Sequence, residues 1–492
     1  MKPKARPQWL KLLCLATAAL CACAGPNFHR PSAPPVDRYT ATTLPVVTSA
    51  ALGPGGAAQQ FLLGQDVPRD WWRRFGSSDL DALVADALRA NPSVLAAQAA
   101  LRQALENAAA QRGAYLPNVQ AVLNPSRQRN AVGVLSPTLS SGAALFNLFT
   151  AQVNVTYVPD VFGANHRQVE SLAALAEASR FLLDATYLTL TANVVTAAIQ
   201  EAGLRAQIAA TERVIALERE GLAVLRHEFE LGAIAEGDVF AQEATLAQLE
   251  TTLPLLQRQL QQSHDLLAVL TGHLPADLQP LHFELDQLQL PTDLPLGVPS
   301  QLVERRPDVR AAEAQLHAAT AQDGVAIANL LPQLTLTGGV GSSATVASDL
   351  LKAGTGFWSL GASLSQTLFA GGTLLHRKRA ADAAVDQAGA LYRAAVLTAF
   401  QNVADSLHAL SADADALGAA SRAANAADKS LEVARRRLEL GSVSYLVLIN
   451  AEQTYQQAVI TLTQARANRY ADTAALFQAL GGSVSPAAAT PQ

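Results

Sequence analysis

The chain has 492 residues, half of them hydrophobic, 5% aromatic and 16% charged, with a formal net charge of −5. The acidic balance argues against nucleic acid, whose phosphates call for a cationic surface. All three cysteines, Cys14, Cys21 and Cys23, lie at the very start, so no disulfide framework holds the rest together.

Lys2, Lys4, Arg6 and Lys11 precede the apolar run Leu12 to Ala22, with no acidic residue among them. This is the pattern of a secretory signal peptide, residues 1–22; the run falls short of the roughly 20 apolar residues that a permanent span needs. Two cleavage readings compete. Leu20-Cys21-Ala22-Cys23 resembles a bacterial lipobox, and Ala22-Cys23-Ala24 fits small-x-small cleavage. The lipobox reading makes Cys23 the lipidated first residue of the mature chain, and Ala24 after it suits sorting to the outer membrane. Removing residues 1–22 takes away four cations and no anion, which moves the charge from −5 to −9. Residues 23–69 are rich in Pro and Gly, including Pro31, Pro34, Pro35, Pro54, Gly55 and Gly56, and read as an extended lipid-anchored tether.

An internal repeat organises the rest of the chain. Asn91-Pro92-Ser93-Val94 recurs 215 residues later as Arg306-Pro307-Asp308-Val309, and the same shift carries Leu116-Pro117 onto Leu331-Pro332. Glu230-Leu231-Gly232-Ala233 recurs as Glu439-Leu440-Gly441-Ser442 with an offset of 209, which also pairs Glu243 with Glu452 and Gly272 with Gly481. Residues 70–290 and 291–483 are thus expected to be two copies of one unit, with 484–492 a disordered tail.

Each copy reads as a helix, two strands and two further helices. The opening helices, near 79–114 and 299–329, are dense in Ala, Leu, Gln and Arg, and each ends at a Leu-Pro pair. Strands come next: 152–157 alternates Val153, Val155 and Tyr157 with polar residues, and 357–365 alternates Trp358, Leu360, Ala362 and Leu364 with Ser and Gly. Residues 117–124 and 334–340 alternate less cleanly. An apolar face backed by a small or polar one suits a membrane barrel with a wet interior, and equally a half-buried strand of a soluble sheet. The next segments favour the barrel. From Gly163 to Glu230 and from Gly372 to Leu440 no proline interrupts, so each can form a helix of about 100 Å at 1.5 Å per residue. Helices of that length need partner helices along their whole course. Gly232 and Gly441 mark reversals, and the chain returns through 238–270, which Pro254 is expected to kink, and 447–480.

Four short strands leave open edges, and an open edge cannot sit in hydrocarbon. Several chains must therefore combine. Three give twelve strands, whereas two give eight, a barrel that its own side chains fill.

Cys23-Ala24-Gly25-Pro26-Asn27-Phe28-His29-Arg30-Pro31 resembles the lipidated start of the NodT branch of efflux outer membrane lipoproteins, within the TolC-like outer membrane factor family. The stronger marker is Gly297-Val298-Pro299-Ser300-Gln301-Leu302-Val303-Glu304-Arg305-Arg306-Pro307-Asp308-Val309-Arg310-Ala311-Ala312-Glu313. Tyr157-Val158-Pro159-Asp160-Val161-Phe162-Gly163 and Leu368-Phe369-Ala370-Gly371-Gly372 resemble the family's strand-to-helix junctions. The resemblance covers nearly the whole mature chain. It implies a mainly α fold with membrane β: a homotrimeric twelve-stranded β-barrel in outer membrane lipid, continuing into a long α-helical coiled-coil tunnel in the periplasm. It implies a passive duct for small molecules, partnered by a periplasmic adaptor and an inner membrane transporter of the resistance-nodulation-division type.

By the same resemblance, Leu231-Gly232-Ala233 and Leu440-Gly441-Ser442 form the periplasmic tip where the adaptor docks. The family's acidic gate position in the second repeat matches Asn450 here, with Gln453 one turn on; Asn450 keeps a hydrogen-bonding ring and loses the charge. Asp238 and Glu452 are nearby alternatives, each expected to be a solvated helix residue. The Arg305-Arg306-Pro307-Asp308-Val309-Arg310 cluster is expected to be structural, with Pro307 in the first turn of a helix and Asp308 at its positive end.

No zinc-protease, nucleophile-elbow or phosphate-loop motif is present, so no enzyme and no cofactor are expected. The absence of Met after residue 1 and of Cys after residue 23 removes soft metal ligands. Two other readings stand beside the duct: a coiled-coil lipoprotein scaffold without a pore, and the outlet of a type I secretion system.

Overall fold

A computed structural model describes residues 24–42, 45–129, 145–277 and 283–482. The signal peptide, Cys23 and the tail lie outside the described residues. The elements run in chain order as β1 (Gln60–Leu63), α1 (Ser78–Ala90), α2 (Pro92–Arg112), β2 (Asn118–Arg129), β3 (Leu145–Tyr157), α3 (Ala164–Glu230), α4 (Glu236–Glu250), α5 (Thr252–Leu270), β4 (Asp293–Leu296), α6 (Pro299–Arg305), α7 (Pro307–Ala328), β5 (Gln333–Ala344), β6 (Gly356–Ser365), α8 (Thr373–Glu439) and α9 (Tyr445–Ala479). The chain divides into two compact units. One comprises Leu101–Ala178, Ala312–Tyr392 and the N-terminal residues up to Pro31; the other holds Ser32–Ala100, Ser179–Ala311 and the chain from Arg393 on.

In the first unit the strands form one antiparallel sheet in the order β2-β3-β5-β6. Its register places Val119, Val155, Gly338 and Leu360 in one row and Ala121, Val153, Val340 and Trp358 in the next. Opposed residues share a face, so the apolar residues of these rows gather on one side, while Val122 and Phe357 fall on the other. Gln120, Asn154, Gly339 and Ser359 line the other side, where Thr150 and Ser343 are 3.2 Å apart and hydrogen-bonded. The apolar face is bare: Trp358 is 77% and Leu360 83% exposed. β2 and β6 are both unpaired edges of this sheet.

The duplication is visible in the helices. α3 and α8 are 67 residues each and start 209 residues apart. Each opening helix is split where the sequence suggested continuity, at Asn91-Pro92 and Arg306-Pro307, because the residue before proline is driven to extended geometry; ψ is 125° at Asn91 and 122° at Arg306. The freed side chains close the repeat. Asn91 Nδ2 donates to the carbonyl of Leu270 at 2.9 Å, and Arg306 Nη1 donates to that of Ala479, also at 2.9 Å. Leu270 and Ala479 are themselves 209 apart, so the same clasp is built twice from different chemistry. The expected structural role of the arginine cluster holds: Arg306 is also bidentate to Asp308, at 2.9 and 2.7 Å, Arg305 pairs with Asp66, and Arg310 lies over the Phe181 ring. The first return leg breaks between α4 and α5 at Thr251, since Pro254 has no N–H for the carbonyl of Glu250 and crowds it. Its counterpart α9, without proline, is unbroken.

Residues 48–63, within the stretch read as a tether, are fastened to the second unit. Phe61 and its neighbours in β1 pair in parallel with β4, and Arg469, fully buried, gathers the chain before them. It donates to Gln59 Oε1 at 3.2 Å, Thr48 Oγ1 at 3.0 Å and the carbonyls of Ala57 and Gly55 at 2.9 and 3.2 Å. Trp71 and Phe75 are equally buried, against Phe477 and Tyr470. Beside Arg469, burial and the adjoining Asp472 push the Asp413 carboxyl up to about 7, with Arg469 opposing. A hydrogen bond between two carboxyls requires one shared proton.

A folded-state value raised above the unfolded one makes the stability contribution complete in acid and lost as pH rises through about 7. The thermal midpoint of the protein is therefore expected to fall between about pH 5 and about pH 8, and Asp413→Asn to flatten that slope. Differential scanning calorimetry across that range measures it.

Candidate functional site

The two reversals in the second unit are near copies of each other. α3 ends in a left-handed Gly232, φ 73°, and α8 in Gly441, φ 67°. Gly232 N–H donates to the Phe229 carbonyl and Ala233 N–H to that of Glu228; Gly441 and Ser442 repeat both bonds with Leu438 and Arg437. This is the Schellman closure, in which the left-handed residue satisfies carbonyls that a helix end leaves free. A side chain at either glycine would strain the turn. Between helix and glycine stand Leu231 and Leu440, 71% and 76% exposed, so each reversal presents an apolar knob to its surroundings.

Behind each turn lies a small apolar core. Ile215, Leu222, Val239 and Leu246 pack between α3 and α4; Leu431, Ala434 and Leu448 pack between α8 and α9. An ion pair fastens each hairpin at the same place: Arg226 with Glu243 at 2.7 Å, and, 209 residues on, Arg435 with Glu452 at 3.3 Å. Glu452 is only 7% exposed. It is not the solvated helix residue expected from the sequence, because α9 turns it toward Arg435.

One polar node breaks the symmetry. Glu218 on α3 is 2% exposed and accepts from the amide of Gln242 on α4. Burial pushes its carboxyl up; hydrogen bonds from Gln453 on α9 and from Gln242 oppose, and the nearby Glu452 adds to the rise. The repeat-equivalent positions are Ala427, Ala451 and Ala244, so the node exists once per chain and joins the two hairpins. Of the candidate gate residues, Gln453 belongs to it. Asn450 and Asp238 do not: both are exposed, Asp238 in the first turn of α4. Glu218, Gln242 and Arg435 escaped the sequence reading. Arg435 was within reach, since the offset of 209 carries Arg226 and Glu243 onto Arg435 and Glu452 together.

The family enters on this geometry. A family model described as outer membrane efflux protein matches residues 83–273 and 298–482, one stretch in each repeat. The chain belongs to the outer membrane efflux protein family. The pyoverdine export outer membrane protein OpmQ of Pseudomonas aeruginosa is 29% identical over 420 residues, covering 84% of this chain and 87% of the relative. Outer membrane protein OprJ of the same organism is 29% identical over 478 residues, covering 96% and 95%. Among solved structures, the outer-membrane channel OprN superposes with a TM-score of 0.81 at 27% identity, covering 93% of this chain and 98% of that one. The open state of the Neisseria gonorrhoeae MtrE outer membrane channel gives 0.77 at 25% identity, covering 94% and 99%. The protein is an outer membrane efflux channel component, and its fold is that of the TolC-like channels.

Because burial raises the Glu218 carboxyl above its ordinary value, the node contributes stability in acid that is lost as pH rises through that raised value. Glu218→Gln, which keeps the shape and removes the titrating group, is expected to unfold at higher temperature than wild type at about pH 8 and to match it at about pH 4.5. Thermal unfolding followed by circular dichroism at the two pH values reads the difference.

Proposed function

We propose that three copies of this efflux channel close a twelve-stranded barrel in the outer membrane and extend a helical duct into the periplasm, where the tips meet a periplasmic adaptor. An inner membrane transporter of the resistance-nodulation-division type supplies the energy; the duct itself is passive. The observation that carries this reading is the four-stranded sheet, with a bare apolar face, a polar reverse face and two unpaired edges. Hydrocarbon covers such a face without cost, and tolerates no free backbone edge. Joining β2 of one copy to β6 of the next removes every edge. Twelve strands leave a lumen, whereas eight fill their own interior. Exposed leucines along the helices, Leu391 and Leu397 on α8 and Leu255 on α5, supply apolar contacts for neighbouring subunits.

In this reading Cys23 carries the lipid anchor. Leu231, Gly232 and Ala233 with Leu440, Gly441 and Ser442 are the docking surface, their two exposed leucines acting as knobs for holes on adaptor helices. Asn450, Gln453 and Asp238 are the gate candidates. Gln453 acts through the Glu218 node, which ties the two hairpins of a chain together, and the exposed Asn450 is free to form a ring about the axis.

Purified protein is expected to have the mass of a trimer and to conduct in discrete steps in a planar bilayer, whereas a non-conducting monomer favours the scaffold. Asn450→Asp is expected to raise the cation-to-anion permeability ratio, because three carboxylates around one axis concentrate cations. An unchanged ratio places Asn450 outside the conduction path.

A further inference from the structure

A cavity of about 280 Å³ in the first unit lies where the strands give way to helices. Val158, Val161, Phe162, Val325 and Leu334 make one part of its lining apolar, and Gln111, Asp160, Asn165, Gln168 and Gln333 make the other polar. Asn165 accepts from Gln111 through its Oδ1 at 2.6 Å, while its Nδ2 is buried with no partner. An orphaned buried amide donor calls for an acceptor, and a pocket with one apolar wall and one polar wall suits a ligand with an apolar part and a polar head.

The described chain begins beside this pocket and is held there. Ala24 N–H donates to the carbonyl of Phe162, a lining residue, at 3.1 Å. Arg167, 3% exposed, donates to the carbonyls of Ala24 and Gly25 at 3.3 and 3.4 Å and to Asn27 Oδ1 at 2.7 Å. Phe28 stacks on His317 with centroids 4.5 Å apart, and Arg30 pairs with Glu313 at 3.1 Å. Gly25 comes so close to α7 that an added Cβ would lie 2.4 Å from the Gly324 Cα. A sequence read as a loose tether is thus clamped through Asn27, Phe28 and Arg30 within its first few residues. Cys23 directly precedes Ala24 in the sequence.

We propose that this cavity is the seat of the lipid on Cys23, taking the glyceryl ester head and the first methylenes of its acyl chains. The proposal rests on the reading of Cys23 as lipidated. Ester and amide carbonyls of a diacylglyceryl, N-acylated cysteine are acceptors without donors, which is what Asn165 Nδ2 lacks; the methylenes match the valine, phenylalanine and leucine wall. The clamp on residues 24–30 then has a purpose: it delivers the lipid to one place at the foot of the sheet, so that the anchor also fixes the sheet's depth in the membrane.

The test uses full-length protein from cells fed a fatty acid with a diazirine near its carboxyl end. After irradiation and digestion, mass spectrometry reads two things. The mass of the peptide beginning at Cys23 reports acylation, and an unacylated peptide overturns both the anchor and the pocket. With acylation intact, the expected crosslinks join that peptide to those carrying residues 158–168 and 325–334; crosslinks confined to phospholipid or to other peptides overturn the pocket alone. Val325→Trp, which fills the cavity, and Asn165→Leu, which removes the donor, are each expected to abolish these crosslinks in protein that remains acylated and assembled. Persistence of the crosslinks in both variants likewise contradicts the assignment, as does a lipid in the cavity that extraction releases without cleaving a bond to Cys23.

Discussion

A backbone amide or carbonyl without a hydrogen bond costs several kcal/mol in hydrocarbon, roughly what a whole side chain gains by burial there. That constraint governs this molecule. The sheet β2-β3-β5-β6 satisfies its interior backbone groups and sorts apolar rows such as Val119, Val155, Gly338 and Leu360 to one face. Its outer edges remain open, and no other described strand reaches them. A single chain therefore holds a finished surface for lipid and an unfinished circumference. The apolar face calls for a membrane, and the edges call for copies of the same chain.

Duplication meets the same demand within the chain. Two repeats supply two hairpins of strands and two of helices, and each repeat locks its return helix with the side chain that precedes a proline. Asn91 does so with an amide and Arg306 with a guanidinium, which shows that the geometry of the clasp is fixed while its chemistry is free to vary. At the reversals the copies are closer still, down to the two hydrogen bonds behind each glycine and the arginine-to-glutamate pair behind each turn. Where the copies diverge, at Glu218, Gln242 and Gln453, three alanines in the equivalent positions mark a contact that serves the joining of hairpins rather than the building of either. Two identical hairpins have no reason to hold one arrangement; the buried node gives them one.

The parts of the fold that were legible in sequence are those written locally. α3 and α8 match the proline-free runs to within a residue or two, because glycine and proline at their ends act on the backbone directly. The strand pattern was legible at Gln152–Tyr157 and 357–365, but β2 extends through Pro125 to Arg129, past a proline that local rules read as the end of a strand. The pairing of β1 with β4 was not legible: four residues each, separated by more than two hundred, carry no period. Nor was the fastening of residues 48–63, which depends on Arg469 far along the chain. The site was half legible. The glycines and leucines of the reversals came from local rules and the repeat, whereas Glu218 and Glu452 looked like any charged residue on a long helix, and only packing shows them buried.

The central claim is that β2 of one chain pairs with β6 of another. It can be tested with cysteines at Gln120 on β2 and Ser359 on β6, since the sequence has no cysteine after Cys23 and lipidation would occupy that one. A series of such double variants, stepped along β6 to find the register, is oxidised in the outer membrane and run without reductant. The account predicts crosslinked species that stop at three chains, with each single variant remaining uncrosslinked. Monomers throughout the series, or a ladder that continues past three, would contradict it.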